Sequence, residues 1–336
     1  MSLSTLETLG AKHHAAIDRA IRNLLNTDAA LQAFAQIVDG IPLSGVACND
    51  RPFSVMRGDP ILRHTSLCPG ALEVTKTFIA EFQLGILNFD NRLLGAYQSA
   101  PFEEHTFRLR LIELAAVAIH QIAVLLYKRN DRIHDQHNND PEYSVDAVTS
   151  WERPWDPESG LVKLPVLPTR FAHSYYTCVG QYPEGVADAV GYWAEKKVFG
   201  GVVVFDRSGS WERKAEDEPN AYFHSEGWQL TFRIWRLLDE QQQPLVDFLL
   251  SAPEASMPSP LPLIASSKNR KRIDPDDATP HKIYRDPWER KFLTSWQRHC
   301  RRRCVITELD YPERVFHFSR EVEGAQEDEE TWKEGE

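Results

Sequence analysis

Glu184, Asp188, Tyr192 and Glu195 follow one another at spacings of four, four and three within residues 180–207, GQYPEGVADAVGYWAEKKVFGGVVVFDR. If Pro183 opens a helix, the four fall within an arc of roughly 80° at about 100° per residue. Val186, Ala189, Val190, Trp193 and Ala194 take the other side. Three carboxyls and a phenol on one face could move protons or hold a cation. A solvated polar face is the plain alternative. The helix leads through Gly200-Gly201 into an apolar strand over 202–205 that ends at Asp206 and Arg207. His173 stands upstream beside Ser174 and near Cys178, either of which an imidazole could activate.

A second pair lies in the apolar run 111–126, where Glu113 and His120 are seven apart and share a helix face. A carboxyl there needs a partner or a raised pKa. The pair either ties this helix to a neighbour or lines a pocket between helices. A third group is basic: Lys268, Arg270, Lys271 and Arg272, then Arg298, Arg301, Arg302 and Arg303, interleaved with Tyr284, Trp288 and Trp296. Cations with aromatics suit a phosphate backbone and unstacked bases, although intramolecular ion pairing would use the same residues. The run 282–291, KIYRDPWERK, alternates charge tightly enough for an ion-paired structural turn.

Metal and cofactor signatures are weak. His134 and His137 sit three apart in a polar loop, His13 and His14 are adjacent, and Cys300 and Cys304 flank arginines beside His299. None has the Cys-x-x-Cys or His-Glu-x-x-His spacing of zinc proteins. No metal and no cofactor is expected. Gly-x-Ser-x-Gly, P-loop and Gly-x-Gly-x-x-Gly sequences are missing.

These groups need elements to hold them. Residues 5–40 read as two amphipathic helices, with Ile17, Ile21, Leu24 and Leu25 on one side of the first. Loop follows over 39–69, then helical spacing over 71–97 with a break near Gly85. The segment 102–128 is apolar nearly all round, which marks a buried central helix. Residues 221–224 and 228–236 continue as strands, and Asp239 caps a helix over 240–250. The expected fold is α+β, a helical N-terminal part packed on a small mixed layer with a three-strand antiparallel meander. The parts run 1–130 helical, 131–168 a polar Pro/Trp-rich connector, 169–318 α+β, and 319–336 a disordered acidic tail.

At 336 residues the chain is long enough for one large domain or two ordinary ones. The net charge of −11 is unevenly spread: residues 321–336 carry −7, whereas 268–303 carry +7. Five widely spaced cysteines argue against a disulfide framework and for a reducing compartment. The first residues lack the basic start and apolar run of a signal peptide. The run 111–126 is shorter than a bilayer span and carries polar groups. A cytoplasmic protein without membrane association is expected.

At GQYPEGVADAVGYWAE, GGVVVFDR and IYRDPWERK the chain resembles a widespread filamentous-fungal family, in which a motif like RLIELAAVAIHQIAV (110–124) precedes these blocks. The resemblance covers most of 105–315. It is similar, among fungal enzymes of specialised metabolism, to the arginine-containing cyclodipeptide synthases. That resemblance implies a cytosolic biosynthetic transferase that condenses two aminoacyl groups delivered on tRNA. Under it, Glu195, Tyr192 and His173 would handle protons, and Glu184, Asp188, Asp206 and Arg207 would hold a cationic substrate. Lys268, Arg270, Lys271, Arg272, Arg301, Arg302 and Arg303 would hold tRNA phosphates. Tyr192 and Glu195 are three apart, so the spacing of four used by bacterial cyclodipeptide synthases is not matched. Two rival readings remain open. One is a non-catalytic regulatory protein of a fungal gene cluster, with Trp151 and Trp155 on a partner surface. The other is a small-molecule-modifying enzyme whose pocket, between central helix and meander, uses Glu113 and His120.

Overall fold

The computed structural model describes residues 2–50, 55, 57–102, 104–152, 154, 167–208, 218–227, 230–252 and 257–291. Arg301, Arg302, Arg303, Trp155 and the acidic tail lie outside the described residues. A short strand β1 (Leu3–Ser4) leads into helices α1 (Ala11–Leu25) and α2 (Asp28–Asp39). The Thr27 hydroxyl starts α2 by accepting the Ala30 N–H, satisfying one of the four free donors of the first turn. The expected loop over 39–69 contains α3 (Ser44–Asp50) and a 3-10 turn at Pro60–Arg63. Then come α4 (Ala71–Glu81), strand β2 (Phe89–Asp90) paired with β1, and α5 (Asn91–Ser99).

The long helix α6 (His105–Arg129) is buried nearly all round, as its all-round apolarity predicts. At 25 residues it exceeds the expected apolar run and has the length and apolarity to cross a bilayer. In the fold, 78% of its apolar window is buried, as in the core helix of a globular protein. Helices α7 (Ile133–His137) and α8 (Val145–Ser150) occupy the connector, and α9 (Val186–Phe199) follows. Strand β3 (Val202–Asp206), β4 (Ala221–His224) and β5 (Ile234–Arg236) form the meander, and α10 (Asp239–Leu250) packs on α1.

The fold class is α+β. The meander extends at both edges, through β6 (Arg272–Ile273) beside β5 and β7 (Ile283–Tyr284) beside β3, with α11 (Pro275–Ala278) between them in the chain. All pairs in this sheet, ordered β6-β5-β4-β3-β7, are antiparallel. Strands of two residues carry no readable alternation, so residues expected in loop pair with the sheet edges instead. Strand β3 is buried on both faces. Val203 and Phe205 join the main core with Ile17, Phe34, Ile112 and Trp193, while Val202 and Val204 face a second cluster of Tyr176, Tyr192 and Ile283. The N-terminal helices and the sheet thus share one core. Gly200 closes α9 at φ 94°, and a Cβ there would come within 2.0 Å of the Leu263 carbonyl oxygen. Only glycine meets both demands.

Candidate active site

Helix α9 opens at Val186 rather than at Pro183, so Glu184 precedes it in an exposed turn, while Asp188, Tyr192 and Glu195 of the expected stripe are buried rather than solvated. The stripe packs against α6, and His120 of α6 enters between two of its carboxylates. Asp188 and Glu195 are seven apart, about 10 Å along the helix axis. Gly191 lies between them and leaves a notch in which the imidazole rests. His120 Nε2 is 2.9 Å from Asp188 Oδ1, and Nδ1 is 2.7 Å from Glu195 Oε1. With an acceptor at each nitrogen, the ring donates from both, which is the imidazolium form. Burial opposes that charge, and the Asp188 and Glu195 hydrogen bonds override it, so the His120 pKa is raised; the Arg285 charge works against it. Burial likewise pushes the Asp188 carboxyl up, but the His120 hydrogen bond and charge, with the Glu184 N–H and the Arg285 charge, together outweigh it and leave the pKa lowered.

Arg285 completes the network. Its Nη1 is 2.7 Å from Glu195 Oε1, an ion pair in a buried setting, and its Nε donates to Asp286 Oδ2 at 3.2 Å. Its Nη2 stands 3.3 Å from His120 Nδ1. That ring nitrogen already donates to Glu195, so the approach is a contact between two cations sharing one carboxylate. Arg285 sits in a turn where Glu289 accepts the backbone N–H groups of residues 285 and 286. The ion-paired turn expected over 282–291 is present, and it aims one arginine inward. Asp188 Oδ2 also accepts the Glu184 N–H at 2.8 Å, which places a carboxylate in the first turn of α9 where the helix dipole favours it.

Two turns earlier on α6, Glu113 is clamped by Arg110 and Arg207 at 2.5 Å each. Arg207 also donates to the carbonyls of Tyr284 and Arg285, fastening the end of β7 to α6. The alternatives drawn for Glu113 and His120 therefore coincide: both tie α6 to its neighbours, and both line a cavity of about 680 Å3. That cavity is walled by α6, the start of α9, residues 284–288 and residues of α5. Glu184, Asp188, Tyr192 and Arg207 line it, as do Arg110, Lys128, Tyr284 and Trp288. The volume falls in the range of small-molecule sites. The Tyr192 ring lies edge-on to His120 and 5.3 Å from the Arg285 guanidinium, and burial raises the pKa of its hydroxyl well above the ordinary value. Its side chain is a proton donor at neutral pH.

Other expected site residues lie apart. Glu195 is fully buried behind His120 and does not line the cavity. Asp206 accepts the Ser208 N–H and closes a turn. His173 is fully buried in another cluster, where Nε2 faces the His224 carbonyl at 3.1 Å and Nδ1 accepts the Tyr175 N–H. Both ring nitrogens are engaged by backbone, so the imidazole activates neither Ser174 nor Cys178. Burial, above all, lowers its pKa to about 4. Lys268 pairs with Glu240, and Arg272 in β6 donates to the carbonyls of Ser266 and Asn269. That basic stretch, with Arg270 and Lys271, lies at the sheet edge opposite β7, about 19 Å from the cavity edge counted across the strands.

Sequence reasoning found each half of the central network without joining them, and it missed Arg285. The signals were a glycine inside the acidic helix and an arginine inside a charged turn. Neither identifies a partner 75 or 165 residues away. No family model matches the chain, and no significant match is found among curated proteins or solved structures.

Proposed function

We propose that the protein is an aminoacyl-transferring enzyme that forms an arginine-containing cyclic dipeptide in the cavity between α6 and α9. The observation that carries this reading is a small-molecule-sized cavity whose wall joins the His120 charge network to the Tyr192 hydroxyl. The amine of one aminoacyl group attacks the ester carbonyl of the other; a C–N bond forms and the C–O bond to the ribose breaks. The ribose oxygen takes up the proton that the amine loses. A second attack of the same kind closes the ring. Asp188, kept ionised by the imidazolium behind it, accepts an N–H of the attacking amine. Tyr192 donates to the oxygen on which charge develops. His120 and Glu195 are positioning residues.

Half-buried Tyr284 and Trp288 line the same cavity near Arg92 and Arg110, groups suited to the base and phosphates of a terminal adenosine. At the rim, Lys128 and Glu184 form an exposed pair worth about 0–1 kcal/mol, so a substrate guanidinium can displace the lysine. The test is expression in a host supplying aminoacyl-tRNA, with untargeted metabolite analysis. The expected product is an arginine-containing diketopiperazine, lost in Tyr192→Phe; failure to form any, or full output from Tyr192→Phe, overturns the proposal.

The placement of Lys268–Arg272 at the far sheet edge favours a second reading, in which the same cavity acts on a free small molecule. A product formed by purified protein without tRNA would select it.

A further inference from the structure

We propose that Asp39, His64, Cys68 and His134 form a buried binding site for a zinc ion, separate from the cavity between α6 and α9. The four come from the end of α2, the turn after Pro60–Arg63, the loop into α4, and α7. A ring nitrogen of His64, Cys68 Sγ and a ring nitrogen of His134 all lie within 4.8 Å of one another. Cys68 Sγ is 3.5 Å from His134 Nδ1, and His64 Nε2 is 3.1 Å from Asp39 Oδ2. Tetrahedral zinc, with Zn–S of about 2.3 Å and Zn–N or Zn–O of about 2.0 Å, sets ligand edges of roughly 3.5 Å for S···N and roughly 3.3 Å for N···O. The Cys68–His134 and His64–Asp39 pairs already stand close to those separations, and small shifts of the side chains would bring the two pairs onto one ion.

Two buried atoms make the cluster incomplete as a purely hydrogen-bonded one. Asp39 is fully buried, and its Oδ1 has no partner. His64 is 3% exposed, and its Nε2, though near Asp39, is not aligned for a hydrogen bond and has no other partner. Unsatisfied buried polar atoms are rare in folded chains. A cation held by His64 Nε2 and the Asp39 carboxylate gives the imidazole its partner and neutralises the buried carboxylate.

The surroundings orient the ligands as metal sites require. His134 Nε2 donates to the Tyr143 carbonyl at 2.9 Å, which leaves Nδ1 bare on the side of Cys68. The Cys68 N–H donates to Asp39 Oδ2 at 2.9 Å, holding the carboxylate in place. On binding, the Cys68 thiol releases its proton to solvent and both imidazoles bind neutral. Zn2+ with one thiolate and one carboxylate then makes an electrically neutral centre, the arrangement burial tolerates. Four protein ligands close the coordination shell, so the ion is structural and fastens α2 to the 64–68 loop and α7.

The test uses the full chain purified without chelators. Elemental analysis should find about one zinc per chain. Metal-free protein loaded with Co2+ should show the thiolate charge-transfer and tetrahedral d–d bands. Cys68→Ser should lose the charge-transfer band and most of the bound metal, whereas Cys178→Ser keeps both. Zinc content that stays far below one equivalent after zinc loading overturns the site. So does metal binding that is unchanged in Cys68→Ser. If that variant does not fold, the cobalt spectrum of the natural chain decides, a spectrum without thiolate bands overturning the assignment.

Discussion

The ring of His120 rests on Gly191 so closely that a Cβ at that glycine would lie 2.6 Å from it. The contact is helix against helix, with the side chain of α6 filling a notch one residue wide in α9. Asp188 and Glu195 reach both ring nitrogens because nothing larger than hydrogen separates them from the ring.

Gly191→Ala should therefore expel the imidazole and break both carboxylate contacts. Overpacking of this kind costs about 1–3 kcal/mol. The check is the urea midpoint, which should fall, with product formation falling in parallel. An unchanged midpoint would show that the ring has room to shift.

Glu195→Gln is a severe change, not a silent active-site substitution. Glu195 neutralises Arg285 and His120, both of them buried. Removing one partner of a buried ion pair costs about 3–5 kcal/mol. A double-mutant cycle with Arg285→Met measures the coupling; the second substitution should recover part of the loss.

Stability should fall on both sides of neutrality. His173 is held neutral, with its folded pKa lowered to about 4 against about 6.5 unfolded, and His224 is lowered in the same direction by burial. A group that folds in its neutral form contributes stability above about pH 6.5 and loses it as pH falls toward 4. For His173 alone this is about 3 kcal/mol. His120 has the opposite sign: its folded pKa is raised, so its contribution is full below about pH 6.5 and is lost as pH rises through the folded value. Urea midpoints against pH should show both limbs. His173→Gln should flatten the acid limb, and His120→Gln the alkaline one.

Glu184→Ala should leave stability within about 0.5 kcal/mol, because its pair with Lys128 is exposed. If the rim carboxylate receives the substrate guanidinium, the variant should raise KM for the arginine donor about tenfold with little change in kcat. Steady-state assay with two different donors separates the cases, since only the cationic one should respond.

Much of the framework was legible in the chain itself. The all-round apolarity of 102–128 pointed to the buried helix found over 105–129, and the spacing of Ile17, Ile21, Leu24 and Leu25 marked the first of the two opening helices. The face shared by Asp188, Tyr192 and Glu195 was visible as a pattern, because helical geometry puts those residues on one side, whereas Glu184 falls in the turn before the helix. Its environment was not. A polar face reads the same whether water or an opposing charge covers it, and here the covering groups are His120 and Arg285, remote in sequence. The same holds for Asp39, His64, Cys68 and His134, whose spacings match no metal motif and which only the packing of α2 against α7 brings together. Local periodicity determined which elements form and which faces are apolar. The long-range contacts, made once those faces were buried against each other, decided which charges meet.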